Sequence, residues 1–133
     1  MSKATPFLMF QGSAQAALNL YFATFPESRM LSADRYPKGG PGPEGTIKVA
    51  RFSLCGREFM CSDSPIKHGF SFTPASSVFV EFDDAEALER AFDALADGGH
   101  VLMPLDDYGF SPRFGWLDDR YGVSWQLSLP LAS

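Results

Sequence analysis

Long apolar runs are missing from this 133-residue chain, and so is any cluster of lysine and arginine. The apolar run near the N-terminus extends only from Phe7 to Phe10, with Gln11 directly after it. That is too short for the hydrophobic segment of a secretion signal. No stretch approaches the roughly 20 apolar residues of a membrane span. Lys and Arg number 11 against 16 Asp and Glu, so the net charge is −5 and the pI about 4.8. A nucleic-acid groove needs clustered cations to replace counterions, so no nucleic-acid partner is expected. No membrane partner is expected either, because anionic lipid attracts a surface through the same kind of cluster. Cysteine is scarce. Cys55 and Cys61 do not form a metal-type Cys-x-x-Cys, and on a continuous strand they point to one face without reaching each other. A reducing cytoplasm is the expected location.

Aromatic residues, by contrast, are plentiful. Thirteen Phe, four Tyr and two Trp stand in a chain that is 45% hydrophobic. That content supports one sizeable core, with rings left over to line a cavity.

The apolar spacing predicts an α+β chain. Pro6–Gln11 reads as a strand bounded by Pro and Gly. Ser13 is the expected N-cap of a helix whose apolar stripe is Ala14, Ala17, Leu18, Tyr21, Phe22 and Phe25, and Pro26 stops it. Strands are expected at Arg29–Tyr36, at Thr46–Leu54 with a slip near Ala50, and at Arg57–Asp63 after a turn at Cys55-Gly56. The stretch PKGGPGPEG (Pro37–Gly45) is a loop. It is followed by a strand rather than a helix, so it is not a phosphate cradle.

After a connector at Ser64–Pro74 the same order recurs. Ser76–Phe82 alternates as a strand. Asp83, with Glu86 three residues on, resembles a capping box before a stripe of Ala85, Leu88, Phe92, Leu95 and Ala96. Gly98-Gly99 ends that helix. Strands follow at His100–Leu105, Arg113–Leu117 and Val123–Leu129, the last two joined by a hairpin loop, Asp118–Gly122. The loop is expected to be solvated and to hold an ion pair. A shift of about 70 residues lays one half on the other. Leu18, Phe22 and Phe25 then meet Leu88, Phe92 and Leu95. The chain is thus expected to be one domain over residues 1–133, with a first βαβββ module at about 5–64 and a second at about 75–130.

The segments TPFLMFQG (Thr5–Gly12), LYFATFPES (Leu20–Ser28), RYPKGGPGPEGTI (Arg35–Ile47), FSFTPASSVFVE (Phe70–Glu81), LADGGHVLMPLDDYGFS (Leu95–Ser111) and FGWLDDRYGVSWQL (Phe114–Leu127) carry a resemblance. They look like the PhnB-like branch, named for 3-demethylubiquinone-9 3-methyltransferase, of the vicinal-oxygen-chelate (glyoxalase and bleomycin-resistance) superfamily. The resemblance implies the glyoxalase/bleomycin resistance/dihydroxybiphenyl dioxygenase fold. Its two tandem βαβββ modules form cup-shaped half-barrels that join around a pocket, within a chain or across a dimer. It also implies that catalytic members hold a divalent metal with His, Glu or Gln from the first and last strand of each module. The chain has no glycine-rich strand-to-helix turn for a nucleotide cofactor.

The ligand positions implied by the resemblance fall on Pro6 or Phe7, near Met60, on Ser77 and on Gln126. Only Gln126 is a plausible donor, and a divalent site wants three or four. No metal and no cofactor is therefore expected. Neither His68 nor His100 is spaced to complete a site. Cys61 reads as a buried apolar residue without a cation to activate it. On the last strand Ser124, Gln126 and Ser128 share one face, and Val123, Trp125, Leu127 and Leu129 the other. The apolar set is expected under the helices and the polar set in the cup.

The expected ligand-binding residues are Gln126, Ser77, Asp63, Phe72, Ser124, Trp116 and Tyr108. Gln126 can donate and accept at once, Asp63 ends a strand at the cup's border, and the rings supply walls. The expected function is metal-free binding of an unknown small molecule, in a homodimer that covers exposed strand edges. A glyoxalase- or dioxygenase-type metalloenzyme with a non-standard ligand set, drawing on Asp63, His68 or a partner chain, is the alternative. A scaffold protein with a self-filled cup is the third.

Overall fold

The structure, a computed structural model, describes residues 1–131. The chain divides into two compact units, the first Met1–Gly69 and the second from Phe70 onward. Each is one βαβββ module, as the spacing predicts.

In the first unit the elements run β1 (Phe7–Phe10), α1 (Ala14–Thr24), β2 (Ser28–Arg35), β3 (Ile47–Leu54) and β4 (Arg57–Asp63). The sheet order is β1-β4-β3-β2, with β1 parallel to β4 and the other pairs antiparallel. Helix α1 buries Ala14, Ala17, Leu18 and Tyr21 and packs on β2, β3 and β4. From the sheet, Ile47, Ala50, Phe52, Leu54, Phe59 and Cys61 meet it. Full burial of each large apolar side chain contributes about 1.5–3 kcal/mol. The spacing of Ile47 and Ala50 breaks the alternation because Lys48 is an extra residue against β2, where Asp34 pairs with Val49 and Arg35 with Ile47. The β3–β4 turn holds both Cys55 (φ 52°) and Gly56 (φ 84°) in the left-handed region, as a tight two-residue hairpin requires. That turn breaks the strand between the cysteines, so they do not share a face: Cys55 is exposed and Cys61 buried.

Helix α1 does not start as expected. Ser13 occupies the N-cap position but its side chain caps nothing. Asp63, about fifty residues later in the chain, does the work instead. Its Oδ1 accepts from the Gly12 and Ala14 amides at 2.8 and 3.0 Å.

The second unit runs β5 (Ser77–Glu81), α2 (Ala85–Ala96), β6 (His100–Asp106), β7 (Arg113–Asp118) and β8 (Ser124–Leu129). Its sheet order, β5-β8-β7-β6, repeats that of the first, again with the first and last strands parallel. Helix α2 buries Leu88, Ala91, Phe92 and Leu95, while Ala85 of the expected stripe is exposed. Its N-cap is Asp84, whose side chain accepts from the Glu86 amide, not Asp83. The capping box therefore does not form: with the cap one residue later, Glu86 is only two residues on. At Gly115 a Cβ would lie 2.4 Å from the Phe92 ring, so only glycine lets α2 sit this close to β7.

The β7–β8 loop corrects the expectation of a solvated hairpin. Asp119 is only 2% exposed. Its carboxylate accepts from the Tyr121 and Val123 amides and from Trp125 Nε1, at 2.8, 3.1 and 2.9 Å. Arg120 does form an ion pair, but with Asp97 at 3.2 Å.

Candidate functional site

Strand register assigns the side chains of the second unit to two faces. Val80, Trp125, Leu127 and Leu117 are buried on the side covered by α2, as the alternation on β8 predicts. The face away from the helix, here the open face, is built from cross-strand rows. One row is His100, Asp118, Ser124 and Ser77. The next is Met103, Trp116, Gln126 and Phe79, and a third is Asp106, Phe114, Ser128 and Glu81.

Four of the expected residues converge here. Ser77 Oγ and Ser124 Oγ lie 2.7 Å apart, and Trp116 Nε1 donates to Ser124 Oγ at 2.8 Å. The two hydroxyls carry two protons and use one on each other, so one is left to donate elsewhere. Gln126 sits directly beside Trp116 and Phe79, half-buried, with its amide in no hydrogen bond among the described residues. Phe79 is 53% exposed, an unusual state for a ring in mid-strand. Tyr108 belongs to a second group on this unit. It stacks on Phe110 (6.3 Å) and meets Phe114 edge-on (5.9 Å), and Phe114 is 6.4 Å from Phe79. Phe79, Phe114, Phe110 and Tyr108 thus form one aromatic group, and Gln126 stands between Phe79 and Trp116. Phe72 packs near Gly122, next to the β7–β8 loop, at the Ser77–Ser124 end of the sheet.

Asp63, in the first unit, is committed to backbone amides. It is 3% exposed, and beside the two amides at Oδ1 its Oδ2 accepts from the Ile47 amide at 3.0 Å. Three backbone donors occupy the carboxylate, which makes it an anchor for the start of α1 and of β3 rather than a ligand group. Strand parity carried this signal: residues 59, 61 and 63 share a face, and Phe59 and Cys61 are apolar. A cavity of about 340 Å³ adjoins it, lined by Gln11, Thr46, Ser64 and Lys67 among others, and no other expected ligand residue reaches it.

Burial, with the Asp63 carboxylate second, pushes the Cys61 thiol up to about 12. Cys61 therefore stays protonated and is no nucleophile at neutral pH. His68 is tied to Ser64, Nε2 to Oγ at 2.8 Å, in the connector.

The metal positions implied by the resemblance fail on donor chemistry. Phe7 pairs with Met60, and Ser77 with Ser124. The register moves the β4 counterpart of Gln126 from Met60 to Ser62, because Ser62 lies beside Met9 as Gln126 lies beside Phe79. A thioether, two or three hydroxyls and one amide do not make a divalent site. Among the described residues no group of three or more His, Cys, Asp or Glu converges.

Residues 2–128 match the family described as 3-demethylubiquinone-9 3-methyltransferase. The PhnB protein of Bacillus cereus, whose solved structure carries the same methyltransferase name, is 51% identical, with 96% of this chain and 99% of that one covered and a TM-score of 0.93. Protein YjdN of Escherichia coli (strain K12) is 25% identical over 138 residues, covering 94% of this chain and 93% of YjdN. The fosfomycin resistance protein FosX of Mesorhizobium loti, 11% identical with a TM-score of 0.64 and 98% and 94% coverage, shares the fold.

Proposed function

The chain belongs to the 3-demethylubiquinone-9 3-methyltransferase family, the PhnB-like branch of the vicinal-oxygen-chelate superfamily, and from that premise we propose that it binds a small organic molecule, without a bound metal, on the open face of its second unit. The observation that carries this reading is the Ser77–Ser124–Trp116 hydrogen-bonded group next to the uncommitted Gln126 amide and the exposed Phe79 ring. A few fixed polar groups beside aromatic walls are what a ligand site needs. The serine pair offers one hydroxyl proton, and Gln126 offers a donor and an acceptor to fix orientation.

Neither helix start favours a phosphorylated or nucleotide cofactor. Asp63 already takes the Gly12 and Ala14 amides of α1. Asp83, Asp84 and Glu86 surround the start of α2 with negative charge, which repels an anion. The reading includes a homodimer in a reducing cytoplasm, supported by two free cysteines and by apolar side chains left exposed on both units.

Native mass spectrometry of the purified protein, before and after incubation with Zn, Mn, Ni or Fe(II), tests it. The expected spectrum shows no stoichiometric metal in either case. A metal retained at one per chain through desalting, and lost in a Gln126→Ala variant, would replace this reading with the metalloenzyme one.

A further inference from the structure

Resting on the proposed use of the second unit's open face, we propose that its ligand is an organic cation, an amine or guanidinium group attached to a flat apolar body, with Asp118 as the counter-ion. Asp118 was expected in a solvated hairpin, but it is the last residue of β7 and stands in the row between His100 and Ser124. Two residues along the strand is Trp116, so the indole and the carboxylate share the open face. Asp118 is half-buried, and its Oδ1 is out of solvent with no hydrogen-bond partner among the described residues. A carboxylate oxygen in that state costs free energy that a donor from a ligand recovers. The buried aspartates among the described residues, Asp63 and Asp119, each accept three hydrogen bonds, with both oxygens engaged.

The charges of the second unit sort by face. Its cationic residues are Arg90, Arg113 and Arg120. All three are paired with carboxylates of α2 or its C-cap: Arg90 with Glu86 at 3.9 Å, Arg113 with Glu89 at 2.7 Å and Arg120 with Asp97 at 3.2 Å. The open-face rows contain Asp118, Glu81 and Asp106, no lysine or arginine, and a single base, His100. The first unit's open face differs, since its Glu58 is paired with both Arg51 and Lys3. The Asp118 carboxylate next to Trp116 suits a cation, which the carboxylate attracts by charge and the indole face by its quadrupole. The exposed rings of Phe79 and Tyr108, which flank the buried Phe114, then take the apolar body of the same ligand.

The test uses three probes of one shape: 2-phenylethylamine, 2-phenylethanol and phenylacetate, titrated into the full chain by calorimetry and by quenching of Trp116 fluorescence. A Trp116→Phe variant identifies the Trp116 signal against that of Trp125. The amine is expected to bind roughly tenfold more tightly than the alcohol, and the acid more weakly than both. Asp118→Asn is expected to remove that advantage and leave the alcohol unchanged, whereas Asp93→Asn, on the exposed side of α2, is expected to leave all three unchanged. On the unaltered protein, which does not depend on the variant folding, the amine's advantage is expected to shrink between about 20 and 300 mM NaCl. If the alcohol binds and the amine has no advantage, or its advantage survives Asp118→Asn, the cation assignment is overturned while the binding face stands. If none of the three binds, both fall together.

Discussion

Replacing Asp63 with alanine removes the acceptor for three backbone amides at once, those of Gly12, Ala14 and Ile47. The Ala14 and Ile47 amides are then buried without an acceptor, whereas Gly12 lies at the surface beside the cavity and can turn to water. The expected loss of stability is roughly 3–5 kcal/mol, read as a shift in the urea midpoint. Asp63→Asn keeps one acceptor oxygen and is expected to lose less. If the alanine variant unfolds at the wild-type urea concentration, the carboxylate is not the anchor described here. Residues of this kind are the hardest to read from sequence. Asp63 and Asp119 each look like polar punctuation at a strand end or in a turn, because their donors come from distant backbone or from an indole six residues on. Asp118 was hidden for a smaller reason: the pattern places the end of β7 one residue early, at Leu117, which moves Asp118 off the sheet and into the loop.

Elements were far more legible than their ends. Helical spacing of apolar residues and strand alternation are properties of many residues together, so the order βαβββ, twice, follows from the sequence even where single positions mislead. Leu18 and Leu88, or Phe25 and Leu95, are buried in both units as the 70-residue shift predicts. Caps rest on one side chain each and are easily misjudged. Ser13 and Asp83 both have the right chemistry for an N-cap, yet neither caps. Three substitutions separate the assignments. Asp84→Ala is expected to cost about 1 kcal/mol of stability, and Asp83→Ala and Ser13→Ala a few tenths at most. Equal losses for Asp83→Ala and Asp84→Ala in thermal denaturation would return the cap to the earlier residue. The polar face of β8 was legible because Ser124, Gln126 and Ser128 alternate with buried Trp125 and Leu127. Its partners Ser77 and Trp116 follow only once register is known.

For the whole molecule, the exposed apolar side chains matter most. Phe7 and Leu31 on the first unit, and Phe79, Val101, Leu102 and Phe110 on the second, are each at least 40% exposed. In both sheets the outer strands are also unpaired on one side. A chain left that way is expected to self-associate, so sedimentation at micromolar concentration is expected to give twice 14.6 kDa. A single species at the one-chain mass would refute the homodimer. No helix among the described residues is long and apolar enough to cross a membrane.

The Asp63 anchor also sets an order of events during synthesis. A ribosome makes the chain from its N-terminus, and Ala14 emerges 49 residues ahead of the carboxylate that receives its amide. Throughout that interval α1 can coil but has no lock at its first turn. The last residue of β4 is the one that secures the start of the first helix, so the N-terminal half becomes a finished unit only when its final strand has left the exit tunnel.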